Sequence, residues 1–123
     1  MALASAAAEN AALNGLDGTG STNTIPDVSL HTASPSTTGA NENANTGSYA
    51  RQACTWNAAS GGSKTNSTSL TFSTAGSVAV THFGTWSSAT YGAGTYAIGG
   101  ALGSSVTAAS ITIASGAITL SAS

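Results

Sequence analysis

The 123-residue sequence is 41% hydrophobic, but 25 of those residues are alanine, and Ile, Leu, Val and Phe together number only 18. Two Lys or Arg, four Asp or Glu and a net charge of −2 exclude a protein that tracks phosphates or a polybasic membrane surface, since Arg51 and Lys64 are the sole strong cations. One cysteine, Cys54, excludes an internal disulfide and a multi-cysteine metal site.

The length fits one β-rich domain over residues 1–123 with a thin core. A chain this poor in charge covers itself with hydroxyls and amides, and it is expected to sit packed against other copies or other proteins. No stretch approaches the 18 consecutive apolar residues of a membrane span. The N-terminus lacks a basic region, and Glu9 and Asn10 interrupt its apolar run, so it is expected to be mature protein and not a signal peptide.

In chain order, alanine richness predicts a helix within residues 1–16, over 2–14, with Leu3, Ala6, Ala7, Asn10, Leu13 and Leu16 near one face and Asn14-Gly15 as its stop. A helix this short must lie on its own sheet or on a neighbour. Residues 17–25 read as a polar linker. "DVSLHT" alternates Val28 and Leu30 with polar positions and predicts a strand. A long polar loop, marked by Pro35 and Gly39, leads to a second strand at 49–57. There Tyr49, Arg51, Ala53 and Thr55 share one face and Ala50, Gln52, Cys54 and Trp56 the other. "AASGGSK" reads as a turn, and "STSLTFS" as a strand presenting Leu70 and Phe72.

"SVAVTHFGTW" is the strongest strand signal, with Val78, Val80, His82 and Trp86 on one face and Phe83 on the other. "GTYAIGGAL" adds a strand bent by glycine. The end carries two alternating runs, Ile111/Ile113 and Ile118/Leu120, which fit a tight hairpin or one bulged strand. About seven short strands after one helix predict a mainly β fold: a small antiparallel β-sandwich, jelly-roll-like, or a barrel.

Candidate chemistry is sparse. His31 and His82 are the only bases a serine nucleophile could use, and there is no G-x-S-x-G turn. His82 is expected to pack among Val78, Val80 and Trp86, and His31 to anchor the long loop by donating to a loop carbonyl. Glu9, Asp17, Asp27 and Glu42 do not form a paired-carboxylate pattern. A Glu42–Arg51 pair closing the loop, if exposed, would contribute less than about 1 kcal/mol. No catalytic residue, metal site or cofactor is expected. Asn66-Ser67-Thr68 matches a glycosylation triplet, of a kind that chance supplies in Ser/Thr-rich chains. Trp56 and Trp86 are expected in the core, and Tyr91 at an interface.

The segment "SLHTASPSTTGANENANTGSYARQACTW" resembles a family of small tailed-bacteriophage virion proteins, variously tail-fibre-like, minor tail or capsid decoration proteins. The resemblance rests on Leu30, His31, Thr32, Pro35, Gly39, Gly47, Tyr49, Ala50, Arg51 and Gln52. "VTHFGTWSSATYGAGTYAIGGAL" and "ITIASGAITLSAS" are similar to that family's later strands, so the likeness spans nearly the whole chain. It implies a non-enzymatic structural protein in the phage particle, decorating the capsid or, as the alternative, serving the tail or fibre. The implied partners are copies of itself and major virion proteins, with no nucleic acid and no membrane. A glycan-binding adhesion module built on tyrosines and Asn-rich loops is a further alternative. The expected docking residues are Leu3 and Leu13 on the helix, Pro35, Glu42, Tyr49 and Arg51 in or beside the long loop, and Tyr91. The loop itself is expected to act as a polar arm lying over adjacent subunits.

Overall fold

A computed structural model describes residues 6–16, 23–43, 49–74, 76 and 79–121. Leu3, Gly47, Val78 and most of the expected linker (17–22) lie outside the described residues. One helix, α1 (Ala6–Leu16), is followed by eight strands: β1 (Asp27–His31), β2 (Gln52–Ala53), β3 (Ser63–Thr65), β4 (Leu70–Ser73), β5 (Val80–Trp86), β6 (Tyr96–Val106), β7 (Ser110–Ile113) and β8 (Thr119–Ser121).

The alternating apolar positions pair as their burial requires. A four-stranded antiparallel sheet runs β2-β1-β5-β6, and two antiparallel ribbons pair β3 with β8 and β4 with β7. One core cluster joins them: Val28, Leu30, Val80 and Phe83 from the sheet with Leu70, Phe72, Ile111, Ile113, Ile118 and Leu120 from the ribbons. The arrangement is sandwich-like, and no closed barrel forms among the described residues.

The helix lies on this chain's own strands, over the β3–β8 ribbon. Leu13 is 1% exposed in the common core, and α1 packs against β3 and β8. Asn10 and Asn14, one turn apart on the helix, accept from the backbone N–H groups of Gly62 (2.8 Å) and Ala59 (2.9 Å). Neither Asn14 nor Gly15 takes the left-handed backbone conformation that would stop the helix, so it continues to Leu16. Its last carbonyl accepts from the Thr24 N–H and hydroxyl. Ile25, expected in the linker, is fully buried in the core.

Several expectations are corrected by partners that alternation cannot reveal. The strand expected at 49–57 is reduced to Gln52–Ala53, because β1 offers β2 only two paired positions. "AASGGSK" is a turn only as far as Gly62. Ser63 opens β3, and Lys64 is buried at 1% exposure with its Nζ donating to the Asn57 carbonyl (2.6 Å) and to Asn14 Oδ1 (3.0 Å). The two closing runs form neither a hairpin nor one bulged strand. β7 and β8 turn away from one another to different partners, and Asn66 pins the turn between them. Fully buried, the Asn66 amide donates to the Thr68 (2.7 Å) and Ala114 (3.1 Å) carbonyls and accepts from the Ile118 N–H (2.9 Å). The glycosylation triplet therefore centres on a sequestered side chain. In β5 the register against β6 shifts between Val80 and His82. That irregularity puts Phe83, not His82, beside Val80 in the core and leaves His82 half-buried.

Candidate functional site

Every residue of β1 is buried, including Asp27, Ser29 and His31 on the face that alternation assigns to solvent. The cover is the long loop. Beyond the two residues of β2, the edge of β1 is open, and the loop folds back to complete it. Asn43 N–H donates to the Leu30 carbonyl (2.8 Å), Thr32 N–H donates to the Asn41 carbonyl (3.0 Å), and His31 bridges Glu42. Over residues 33–43 the loop is thus part of this chain's own sheet layer and not a free arm. Its turn closes by Gly39 and Ala40 N–H groups on the Pro35 carbonyl. Gly39 has φ of 76°, and a Cβ there would lie 2.5 Å from the Trp86 ring, so both the backbone and the packing require glycine.

A line of polar groups runs beneath this turn. His31 Nδ1 lies 2.7 Å from the Ala40 carbonyl, which can only accept, so Nδ1 carries the proton. In the neutral ring Nε2 then accepts from the Ser29 hydroxyl (2.6 Å), and Ser29 Oγ accepts from Trp86 Nε1 (2.7 Å). His31 anchors a loop carbonyl, as expected. Gly84 permits the arrangement, since a Cβ there would lie 2.7 Å from His31 Nε2. Ser29 and His31 resemble a nucleophile and base in spacing, but both are fully buried with their polar atoms committed.

Burial holds the His31 pKa below the usual imidazole range, opposed by its bond to Ala40 and the Glu42 charge. The unfolded chain therefore binds the extra proton more readily. Stability from this group is complete above about pH 6.5, falls as the pH drops below it, and levels off below the folded pKa. Urea titrations at about pH 7.5 and about pH 5.5 should show this loss, and His31→Gln should reduce it. Burial raises the Asp27 carboxyl. Its contribution has the opposite sense, present below 3.8 and lost as pH rises through its folded pKa, and is common to both proteins in that comparison.

Arg51 organises the rim. Its Nε and Nη2 make a two-pronged pair with Glu42 Oε2 (2.9 Å) and Oε1 (2.8 Å), while Nη1 donates to the Ser88 (2.9 Å) and Ala93 (3.0 Å) carbonyls. Its guanidinium lies over the Trp86 ring, 3.8 Å from the centroid. Tyr49 donates to Glu42 Oε2 (2.9 Å) and accepts from the Leu30 N–H (3.1 Å). Burial and the adjacent Glu42 carboxylate raise its pKa well above the usual phenol value. The Glu42–Arg51 pair is thus buried, contrary to the exposed case on which its small expected contribution rested.

These groups wall an open cleft of about 310 Å³, lined by Gly39, Asn41, Glu42, Arg51, Trp86, Tyr91 and Gly92. Tyr91 is 39% exposed, and its ring meets Tyr49 edge-on, centroids 6.4 Å apart at 88°. Trp86 meets Tyr96 in the same manner at 5.4 Å. Of the residues expected to dock, Glu42, Tyr49, Arg51 and Tyr91 come together here. Pro35 is buried at the start of the covering turn, Leu13 is spent in the core, and Leu3 is outside the described residues. Sequence reading missed Ser29, Asn41 and Gly92 at this site, and it placed Trp86 simply in the core. Their only signal is position after folding. Among the described residues no three His, Cys, Asp or Glu side chains cluster as metal ligands would.

The family model described as "Podophage GP4 fiber I protein gp80" matches residues 3–121. No curated protein matches the chain.

Proposed function

This chain belongs to the podophage GP4 fiber I protein family, gp80, a family of phage virion structural proteins, and on that premise we propose that it is a non-enzymatic subunit of a fibre on the phage particle. The family description favours a fibre over the capsid-surface placement that the sequence reading put first. The observation that carries assembly is the outer edge of β6. This eleven-residue strand pairs with β5 alone among the described residues. Exposed edges of this length are normally guarded by charge or proline, and β6 has neither. Residues 65–123 contain no Asp, Glu, Lys or Arg at all. Edge pairing with other copies of the chain or with a major virion protein supplies direction, and repetition by symmetry supplies retention that one contact lacks. The only Ser–His pair described is sealed beneath the loop, which fits a structural role.

Electron microscopy of purified virions carrying a label after Ser123 tests this reading. Label confined to appendages of the tail is expected. Label spread over the shell would replace the fibre with capsid decoration, and virions free of label would remove the protein from the particle.

A further inference from the structure

The cleft beside Tyr91 goes beyond an assembly role, and its lining narrows what could enter it. Its volume of about 310 Å³ falls at the lower end of small-ligand sites. The two charges in its wall are spent. Both Glu42 oxygens accept from Arg51, and one also from Tyr49, while Arg51 gives both Nη1 protons to Ser88 and Ala93 and its side chain is wholly enclosed. An ionic ligand therefore gains no partner here. What remains is one exposed aromatic side chain, held edge-on by Tyr49, beside the exposed Asn41. The Asn41 amide is engaged once, Nδ2 donating to the Ser34 carbonyl (2.9 Å), so its carbonyl oxygen retains accepting capacity. Gly92 leaves open space at the rim, where a Cβ would meet nothing within 4 Å.

An apolar flat face bordered by neutral polar groups matches a molecule with one C–H face and a hydroxyl rim. We propose that this cleft binds a neutral sugar ring, stacked on Tyr91 with its hydroxyls toward Asn41 and the adjoining backbone. A nucleobase would also stack, but the phosphates attached to it would meet a chain of net charge −2 whose nearest cation is consumed.

The test uses the full chain and neutral oligosaccharides of glucose, galactose and N-acetylglucosamine, with sialylated oligosaccharides and nucleotides as charged counterparts. Binding is read by Trp fluorescence and by saturation-transfer NMR. At least one neutral probe should saturate the protein below about 10 mM. Tyr91→Ala and Tyr91→Leu should each weaken it at least about tenfold, and Tyr91→Phe should stay within about threefold, because the flat face is what stacks. Tyr91→Leu retains bulk against Tyr49, so a folding defect in the alanine variant leaves the test intact. Saturation by no neutral probe, preference for a charged counterpart, or binding indifferent to Tyr91→Leu would each overturn the proposal.

Discussion

Replacing Arg51 with alanine should cost about 3–5 kcal/mol of folding stability, read as a lowered urea midpoint. The side chain is fully enclosed, and its removal strands a Glu42 side chain that is itself only 7% exposed. It also frees the Ser88 and Ala93 carbonyls and strips the face of Trp86. A domain of this size has only about 5–15 kcal/mol in total, so the variant should stand near its folding limit. Arg51→Lys keeps the charge but loses the fork that reaches Glu42 and two loop carbonyls at once, so it should recover only part of the loss. The Glu42→Ala, Arg51→Ala double variant should cost less than the two single losses summed, because each single change leaves the other charge unpaired. An additive double variant would mean that the two side chains act separately.

The second large effect belongs to the core. Phe72→Ala should lose about 3–5 kcal/mol in the same assay, and Phe72→Leu less than about 1.5 kcal/mol. Phe72 is fully buried on β4, opposite Ile111 of β7. It is one of two phenylalanines, and the rest of the buried cluster is almost all aliphatic. A core with so few bulky members has no large neighbour able to collapse into the space. A loss near 1 kcal/mol in the alanine variant would mean that the ribbons shift freely over the sheet, contrary to the packing described.

What was legible in the sequence follows from local physics. Leu70/Phe72, Ile111/Ile113 and Ile118/Leu120 alternate and are buried as alternation predicts. The alanine-rich start is helical. Partner choice was not legible. The pattern of Ile111 to Leu120 suits a hairpin as well as two strands paired elsewhere, and only the buried Asn66 amide between them decides it. Buried polar residues were the other blind spot. Nothing local marks Lys64 or Ser29 as interior, because their burial depends on acceptors and donors contributed from distant segments. The long loop was recognisable as a loop from its composition. Its course was not, since that depends on the short β2 leaving the edge of β1 open. At the site, Glu42 and Arg51 could be paired from charge scarcity alone, whereas the approach of Tyr91 to Tyr49 required the fold.

The central claim is that the loop over residues 33–43 is an integral layer of this domain, locked by Arg51, and not an arm held out for neighbours. Amide hydrogen exchange on the isolated chain tests it most directly, at Leu30, Thr32 and Asn43, whose N–H groups bond Tyr49, Asn41 and Leu30 in turn. All three should exchange as slowly as the core amides of β5, and in Arg51→Ala they should speed up ahead of β5. Fast exchange at Thr32 and Asn43 in the unaltered protein, while β5 stays protected, would contradict the account.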